Sequence, residues 1–545
     1  MVTPRAFKFI RPCLDRIQEM RHNDLENLLI GDVPRHIAAR APDSRAIIFG
    51  TDTYTYRDLD KLANRFANGL LALEPTPRAR LVIMCGNSIE YPIIHFGVAR
   101  TGCTLVHVPH RYGAKELGHV LKQTGAQFLI GDAGTFNLYH AVKNELRALP
   151  CLIGIGNTPD AGVISCGALI HEQPETPPDV SLKAADPACI MYTSGTTGNP
   201  KGAILSHRAR MASSTAATEE YPLESSDIGI ITIPLSHAAG LFSFFQPLMN
   251  AGACAVIMPK WDPGRFMDDV EQHSVTSAFV VPTQLTMLFD APGFSAERLK
   301  SLKKCAYGGA PATPDLLRRA GAMLPHTEII QAYGSTETGH LVFQHAGERR
   351  MNPGTLGKPG PRTELNVCRA TGEPTGPGEA GEIVLNSPHL MDGYLDDPQA
   401  TAEYFKSGDG RGWTGDLGSI DENGVLTLTG RTKEIIISGG INISPVELEE
   451  VITDHPAVSE CAAFAIPDPK WGELPAAAIV LKPGQKATQE EIMAYAAGRL
   501  ARFKRLRYVA IVDTLPHTAS GKVQRALLKE QFAGALATRP AGMKN

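Results

Sequence analysis

The 545-residue sequence lacks the cysteine spacing of a metal-binding or disulfide-rich protein. Its ten cysteines are scattered, and no two of them are arranged as a Cys-x-x-Cys motif. This argues against a zinc ribbon, a thioredoxin-type redox site and a disulfide framework. A reducing compartment, the cytoplasm, fits these cysteines best.

The chain also lacks a surplus of positive charge and a long uninterrupted apolar run. Lys and Arg number 53 against 57 Asp and Glu, a net charge of −4, which gives no broad basic surface for a nucleic acid. The one long stretch without these four residue types, 228–258, is broken by Pro234, His237 and Pro247 and predicts buried strands and a helix. The first 26 residues are charged throughout and lack the apolar segment of a signal peptide. We expect neither a nucleic-acid partner nor a membrane span.

Strand and helix patterns alternate through most of the chain. From Arg57 onwards, Leu59, Leu62, Phe66 and Leu70 recur every three to four positions, which predicts an amphipathic helix. Short apolar runs bounded by turns alternate with such helices, which is typical of parallel sheets covered by helices on both faces. The predicted strands lie at 81–84, 104–108 and 127–130 in a first block, and at 228–233, 253–258, 276–281, 304–307 and 328–332 in a second.

The remaining patterns complete the predicted organisation. Asn87 is expected to cap the helix that follows the strand 81–84. Between about 354 and 429 the residue pattern changes to short β-rich runs separated by Gly and Pro, as in a small barrel or sandwich. After Gly430, strand and helix patterns predict a separate α+β unit of roughly 110 residues. The predicted fold is α/β: a large N-terminal domain, 1–432, of two helix-covered sheets plus a small β-rich subdomain, followed by a smaller α+β C-terminal domain, 433–545.

The segment YTSGTTGNPKG at 192–202 has the composition of a phosphate-binding loop. Three glycines, four hydroxyl side chains and a lysine follow the apolar strand 188–191 and offer backbone N–H groups and other donors to a polyphosphate. The spacing differs from that of a P-loop NTPase, which requires Gly at the place of Pro200 and Ser or Thr at that of Gly202. By composition alone, a flexible Gly/Thr turn is an equally good interpretation.

Five further segments follow this loop along the chain. They are PLSHAAG at 234–240, AYGSTETG at 332–339, WTGDLG at 413–418, GRTKEIIISGGINISPVELEE at 430–450 and LPHTASGKVQR at 515–525. With them, the chain resembles the adenylate-forming superfamily of acyl-CoA synthetases, peptide-synthetase adenylation domains and beetle luciferases over nearly its whole length. The resemblance implies a two-step ligase: a carboxylate, ATP and Mg²⁺ give acyl-AMP and pyrophosphate, and the thiol of coenzyme A then displaces AMP.

The resemblance also implies a set of ATP-binding residues. Activation of a carboxylate adds negative charge at the α-phosphate, so cations and hydrogen-bond donors must converge there. Glu337 would hold Mg²⁺, and Thr336 would touch the α-phosphate. Asp416 would accept hydrogen bonds from the ribose, with Arg431 beside the sugar. The loop residues Thr193, Ser194, Gly195, Thr196, Thr197, Gly198 and Lys201 would hold the β- and γ-phosphates, and Gly309, Ala310, Pro311 and Tyr333 would enclose the adenine.

Two lysines near the C-terminus take their roles from the same resemblance. Lys522 is the expected cation of the adenylation step, because a flexible stem with a point charge suits a group that enters and leaves a site. Lys433 falls at the hinge about which a mobile C-terminal domain would turn, and an ordinary solvated charge is the alternative there. Pro516 and Gly521 complete the PxxxxGK pattern found around acetylated lysines in this family, which implies a lysine acetyltransferase acting on Lys522 as a partner.

The stretch ARFKRLRYV at 501–509 alternates an aromatic residue with cations, and it resembles the halobenzoate-CoA ligase branch. Phe503 would stack on the adenine of coenzyme A, while Arg505 and Arg507 would meet its phosphates. A basic helix end with Phe503 in the core is the alternative. The residues implied for the pantetheine arm are Trp471, Gly439 and Gly440, the glycines leaving room for the thiol.

The acyl pocket that the resemblance implies contains no Lys or Arg, so a second carboxylate would lack a charged partner in a desolvated site. The expected substrate is therefore a largely apolar monocarboxylate: an aromatic, alicyclic or medium-chain fatty acid. One pocket residue, His237, is also implied in catalysis. The pocket residues are His237, Ala238, Ala239, Gly240, Leu241, Ala332, Gly334, Gly339, His340 and Leu341.

Four other activities are alternatives, and three of them do not fit the sequence. An acyl-AMP ligase that loads a carrier protein stays open as the alternative, although it would have no use for the cations of 501–509. An amino-acid adenylation domain is disfavoured because no acidic residue follows His237 in PLSHAAGLFSFFQPL to hold an ammonium group. A serine hydrolase requires Gly two residues before Ser335, where Tyr333 stands. A non-catalytic nucleotide sensor would not need Lys522.

Overall fold

The computed structural model describes residues 28–158, 162–193, 200–310, 312–351, 354–432, 434–438, 441–517 and 523–533. They form two compact units. The first takes in the described residues up to Met351 together with Pro359–Thr363 and Asn386–Glu403. The second combines the β-rich segment with the C-terminal α+β segment. The domain boundary at 432 stays a prediction.

One sheet of the first unit contains the strands predicted near 81–84, 104–108 and 127–130. Its central strands pair in parallel, which confirms the predicted arrangement. Two antiparallel strands follow on one side of the sheet, and they flank the candidate phosphate loop. In spatial order the strands are Gly393–Tyr394, Lys201–Ser206, Pro187–Thr193, Thr104–His107, Arg80–Met84, Phe128–Gly131, Cys151–Gly154 and Ile164–Ser165.

The second sheet of this unit contains all five strands predicted between 228 and 332. Its interior pairs are again parallel. At one side, an antiparallel hairpin carries the segment AYGSTETG. Eight strands of this unit lie in the order Gly339–Gln344, Glu328–Ser335, Lys304–Gly308, Ser277–Val280, Ile228–Ile231, Cys254–Ile257, Arg45–Phe49 and Asp52–Thr55. The two-residue strand Lys358–Pro359 crosses the sequence boundary between the units.

Helices connect the strands and pack against both sheets. The helix Tyr56–Leu71 shows how the sequence determines this packing. Thr55 and Asp58 form a capping box at its start, and Leu59, Phe66 and Leu70 are buried on one face. No helix in the described ranges is both long and apolar enough to cross a bilayer. The helices before the C-terminal segment are Val33–Ala38, Tyr56–Leu71, Glu90–Val98, Ala114–Thr124, Ala133–Val142, Cys166–Ile170, His207–Glu220, Ala238–Gly240, Gln246–Ala251, Pro263–His273, Pro282–Phe289, Pro314–Met323, Ala346–Met351 and Pro398–Tyr404, with a π-helical turn at Leu241–Phe245.

Asn87 does not cap the next helix, and that prediction was wrong. The helix begins at Glu90, with Ile89 at the capping position. The Asn87 side chain instead accepts a hydrogen bond from the Leu235 N–H at 2.8 Å and donates to the Met258 carbonyl at 3.0 Å. Buried amides are normally hydrogen-bonded, and backbone groups of two other segments satisfy this one. Asn87 therefore fixes the loop that leads to His237.

The second unit contains two smaller sheets. The β-rich segment forms a four-stranded sheet in the order Glu364–Cys368, Gly381–Asn386, Gly412–Ile420 and Leu426–Arg431. The C-terminal sheet has the order Ile441–Ile443, Ile436–Ser438, Gly472–Leu481 and Val458–Asp468, with Tyr508–Ile511 parallel to Gly472–Leu481. Its helices are Pro445–Thr453, Gln489–Ala497 and Arg525–Phe532. The α/β class with a separate α+β C-terminal segment is confirmed.

A charge cluster ties the start of the C-terminal segment to its last helix. The Arg525 guanidinium donates to both carboxylate oxygens of Glu449, at 2.7 and 2.8 Å, and to Glu434 at 3.0 Å. All three side chains are less than a quarter exposed. Bidentate pairing of this kind fixes the relative orientation of the guanidinium and the carboxylate and adds to their electrostatic attraction.

Candidate active site

The candidate phosphate loop joins the antiparallel strands Pro187–Thr193 and Lys201–Ser206. In this pair Thr193 lies opposite Lys201, so the two residues are close together at the base of the loop. The Lys201 ammonium is 3.6 Å from the Asp397 carboxylate and 5.3 Å from the centre of the Tyr394 ring. Ser194, Gly195, Thr196, Thr197 and Gly198, predicted to hold phosphate, lie outside the described residues.

Glu337, the predicted metal carboxylate, is held at two points. The Tyr394 hydroxyl donates to its Oε1 at 2.8 Å, and the Met391 N–H donates to its backbone carbonyl at 2.8 Å. Tyr394 belongs to the short strand Gly393–Tyr394, which pairs with Ala203 and Ile204 in the strand that begins with Lys201. The fold therefore brings two predicted residues, Lys201 and Glu337, to the same tyrosine.

The hairpin that carries Thr336 and Glu337 depends on glycine at two positions. A Cβ atom at Gly334 would lie 2.0 Å from the Gly339 carbonyl oxygen. Gly339 has φ +66°, and a Cβ there would lie 2.1 Å from the Ser213 hydroxyl. The Thr338 hydroxyl closes the turn by accepting the Ser335 N–H at 2.9 Å. These contacts fix the turn in which Thr336 lies.

The predicted adenine residues lie at the ends of two neighbouring strands. Gly308 pairs with Ala332, so Gly309, Ala310 and Tyr333 continue from adjacent positions. Gly309 has φ +80°, a conformation that glycine adopts without strain. Pro311 lies outside the described residues. The described part of the predicted adenine set is thus brought together.

The predicted acyl pocket adjoins a small apolar hollow. His237 is half-buried and precedes the turn Ala238–Gly240. A Cβ at Gly240 would lie 2.4 Å from the Pro234 carbonyl oxygen, so no larger residue fits that turn. The hollow is lined by Ile231, Thr232, Ile233, Ala239, Gly240, Phe244 and Phe279.

His340 is an uncharged residue beside this hollow. Its ring stacks on Phe279 at a centroid distance of 5.7 Å, and its Nδ1 lies 2.7 Å from the Tyr221 hydroxyl. Burial, with His389 and Arg210 nearby, lowers the pKa of His340 to about 3. The imidazole is therefore uncharged at any physiological pH.

Sequence reasoning missed Arg210, a fully buried cation beside the pocket. Its Nη1 would be 3.7 Å from a Cβ at Gly339, and its guanidinium lies 5.7 Å from the centre of the Phe242 ring. The guanidinium donates to the His389 carbonyl at 2.5 Å. In the sequence HRAR, Arg210 looks like its exposed neighbour Arg208, so only the fold distinguishes the two.

In the second unit, the predicted ribose residues form an ion pair. Asp416 lies opposite Arg431 on antiparallel strands, and its Oδ1 is 2.8 Å from the Arg431 Nε. The Asp416 side chain is 9% exposed, which keeps its carboxylate in one orientation. The Asp416 carboxylate is thus a hydrogen-bond acceptor of fixed orientation beside the Arg431 cation.

Two of the described residues predicted to bind coenzyme A, Trp471 and Arg507, lie near the start of the strand Gly472–Leu481. Ser438 pairs with Gly472, directly after Trp471, and the Arg507 N–H donates to the Pro475 carbonyl at 2.8 Å. Trp471 is 46% exposed and Phe503 is 47% exposed. The alternative of a core Phe503 does not fit this exposure. Gly439, Gly440, Lys433 and Lys522 lie outside the described residues.

Comparison with known proteins fits this geometry. The family model of AMP-binding enzymes matches residues 34–395, and that of the AMP-binding enzyme C-terminal domain matches residues 447–522. The feruloyl-CoA synthase of an Amycolatopsis species is 33% identical over 93% of this chain and 100% of its own length. The fatty acid–[acyl-carrier-protein] ligase ScoC of Streptomyces coeruleorubidus is 31% identical over 95% of this chain and 99% of its own length. The solved structure of ATP-bound MatB from Rhodopseudomonas palustris has a TM-score of 0.85 at 28% identity, with 93% of this chain and 99% of that chain covered. The chain belongs to the AMP-binding enzyme family, and it is an AMP-forming acid–thiol ligase.

Proposed function

We propose that this ligase activates a largely apolar monocarboxylic acid, aromatic, alicyclic or medium-chain, and transfers the acyl group to coenzyme A. The observation that carries the proposal is the apolar surroundings of Gly240, which include Phe244 and Phe279, with neutral His340 stacked on the Phe279 ring. A second carboxylate would lose its hydration among these side chains. The relatives named for feruloyl-CoA and for a fatty acid support the same range of acids.

For the first step, we assign Lys201 and the loop that begins at Thr193 to the β- and γ-phosphates of ATP. Their position at the base of paired strands supports this role, because a rigid ladder orients both ends of the loop. We assign Thr336 and Lys522 to the α-phosphate, where the negative charge grows during attack by the acid. His237, half-buried at the start of its turn, is proposed to border the carboxylate under attack.

Mg²⁺ fits the residues present. The described residues contain no group of three or more His, Cys, Asp or Glu side chains that could enclose a metal ion. Mg²⁺ does not need such a group, because it is commonly held by one or two carboxylates together with substrate phosphates. When bound, it would neutralise charge on the phosphates. Glu337 presents a carboxylate that Tyr394 holds through one oxygen, so the other oxygen is oriented for a cation.

We assign the remaining nucleotide contacts to residues that the fold holds rigidly. Gly309, Ala310 and Tyr333 are proposed to enclose the adenine. In the second unit, Asp416 is proposed to accept hydrogen bonds from the ribose hydroxyls, and Arg431 to lie beside the sugar. Their ion pair at 2.8 Å supports this role, because it keeps the carboxylate oriented.

For the second step, we assign Phe503, Arg505 and Arg507 to coenzyme A, and Trp471 with the Gly439–Gly440 loop to its pantetheine arm. Within the described ranges, neither Arg505 nor Arg507 forms an ion pair with an acidic side chain, so both cations are suited to phosphates. By contrast, Lys504 is bound by Glu447 at 2.6 Å. A carrier protein is the alternative acceptor, and the similarity to ScoC is the reason for testing it.

Two finer assignments complete the proposal. Acetylation of Lys522 would remove the charge that the first step requires, so we propose it as a regulatory modification by a lysine acetyltransferase. We also propose that the enzyme works in the cytoplasm, because all nine described cysteines are free thiols.

The proposal is tested by a panel of acids assayed by pyrophosphate release, with coenzyme A or a phosphopantetheinylated carrier protein as the acceptor. The panel pairs each apolar monocarboxylate with a dicarboxylate and an amino acid of similar size. We expect apolar monocarboxylates to be the best substrates and coenzyme A to be the better acceptor. If dicarboxylates or amino acids are preferred, the pocket assignment is wrong; if only the carrier protein is acylated, the acceptor assignment is wrong.

A further inference from the structure

Tyr394 contacts two residues of the candidate active site at once, although it lies outside every motif of the sequence. Its hydroxyl donates to the Glu337 carboxylate at 2.8 Å, and its ring lies 5.3 Å from the Lys201 ammonium. We propose that Tyr394 is a positioning residue that orients the metal carboxylate Glu337 and the phosphate-binding Lys201 for Mg·ATP. This inference rests on the roles proposed above for those two residues.

The backbone around Tyr394 is fixed independently of the two contacts. Gly393–Tyr394 pairs with Ala203–Ile204, and the Leu395 N–H donates to the Gly202 carbonyl at 2.8 Å. The Tyr394 N–H donates to the Thr401 hydroxyl at 2.9 Å. The ring is therefore anchored to the strand that begins with Lys201.

The hydroxyl contact orients the carboxylate. An ionised carboxylate only accepts hydrogen bonds, so the tyrosine O–H must be the donor. This bond occupies Oε1 of Glu337 and leaves Oε2 for a cation. Hydrogen bonds to metal-ligating groups typically contribute a factor of about 10 to 100 in metal affinity. Removing the hydroxyl should therefore weaken Mg²⁺ binding without disturbing the backbone of the hairpin.

The ring contact acts on the lysine. Asp397, three residues after Tyr394, lies 3.6 Å from the Lys201 ammonium, so the lysine is held between a carboxylate and the aromatic ring. A cation over an aromatic ring at a partly exposed site gains a factor of about two to five in affinity. The ring should thus affect the affinity for ATP itself, separately from the metal.

The two contacts can be separated by substitution. Tyr394→Phe removes the hydroxyl and keeps the ring, whereas Tyr394→Leu removes both. ATP binding is measured by calorimetry over a series of free Mg²⁺ concentrations, without acid or acceptor, so that no turnover occurs. Tyr139→Phe is the matched control, because Tyr139 is buried in the core formed around the strands Arg80–Met84 and Phe128–Gly131. Thermal unfolding of each variant shows whether it is folded.

For Tyr394→Phe, we expect the Mg²⁺ concentration for half-maximal ATP binding to rise about tenfold. The affinity at saturating Mg²⁺ should stay within about twofold of the wild type. Tyr394→Leu should add a two- to fivefold loss at saturating Mg²⁺. In a Glu337→Ala background, Tyr394→Phe should cause no further shift, because its acceptor is gone.

Two results would overturn the inference. The first is a Tyr394→Phe variant whose Mg²⁺ dependence stays within twofold of the wild type while Glu337→Ala shifts it. The second is a full Tyr394→Phe effect that persists in the Glu337→Ala background. If Glu337→Ala itself has no effect, the metal assignment under the proposed function fails and this inference fails with it. The acid panel remains an independent test of that function.

Discussion

His345 links three segments of the first unit through its charge. Its Nδ1 is 2.8 Å from Glu328, the first residue of the strand Glu328–Ser335, and its Nε2 is 3.2 Å from Glu220, the last residue of the helix His207–Glu220. The hydrogen bond to Glu220, against the opposing effect of burial, and the bond to Glu328 raise the pKa of His345 from 6.5 to about 9. His345→Gln removes this charge and keeps a hydrogen-bonding side chain.

The magnitude follows from linkage between protonation and folding. A rise from 6.5 to about 9 corresponds to about 3 kcal/mol. The imidazole is 33% exposed, and solvent screening reduces this to about 1–1.5 kcal/mol. Because the folded-state pKa is the higher one, the contribution is complete below pH 6.5 and is lost as the pH rises through 9. His345→Gln should therefore destabilise the first unit at pH 6 and become equivalent to the wild type near pH 10.

Urea unfolding monitored by tryptophan fluorescence can measure this. The chain has three tryptophans, and a Trp413→Phe, Trp471→Phe background leaves Trp261, in the first unit, as the probe. His326→Gln serves as the control, because His326 is exposed. A stability difference between His345→Gln and the wild type that is equal at pH 6 and pH 10, or that grows with pH, would refute the reasoning.

Three further predictions concern the two half-reactions. Lys522→Ala should slow acyl-AMP formation about 10²- to 10³-fold and spare thioester formation from supplied acyl-AMP; a wild-type rate of acyl-AMP formation would end the assignment. Arg505→Ala with Arg507→Ala should raise the KM for coenzyme A in a salt-sensitive way and leave pyrophosphate exchange intact, since each exposed phosphate contact is worth about 1 kcal/mol or less. An unchanged KM would favour the carrier protein. Gly440→Leu should keep acyl-AMP formation and lose thioester formation, because a side chain would block the thiol; equal losses in both steps would indicate misfolding.

The parts of the fold that depend on local patterns could be predicted from the sequence. The stripe with Leu59, Phe66 and Leu70 identified its helix because burial of one face repeats every turn. The parallel strands of both sheets that the sequence predicted, such as Arg80–Met84 and Ser277–Val280, are short apolar runs separated by turns, a pattern with few alternatives. The loop between Thr193 and Lys201 has an unusual local composition, but their phosphate-binding role came from the family resemblance and stays a prediction.

Residues whose role depends on distant partners could not be predicted. Tyr394 meets Glu337 across 57 positions of sequence, and nothing local to the tyrosine indicates a carboxylate partner. Arg210 is fully buried whereas Arg208 on the same helix is exposed, a difference decided by packing around Gly339 and Phe242. Asn87 is of a residue type that often caps helices, but its amide is hydrogen-bonded to the backbone groups of Leu235 and Met258 instead.

The charge cluster around Arg525 constrains the order in which the C-terminal segment can fold during synthesis. Arg525 bonds Glu434 across 91 positions and Glu449 across 76. Until the ribosome has delivered Arg525, those two carboxylates would have to approach each other in poorly hydrated surroundings without their shared cation, which opposes closure. A nascent chain that ends before Arg525 should therefore remain loosely packed and open to proteases, even with the strands Val458–Asp468 and Gly472–Leu481 complete. A chain in which this cluster has formed already contains Lys522, the proposed cation of the adenylation step. The packed C-terminal segment therefore indicates a chain that has been synthesised past this lysine.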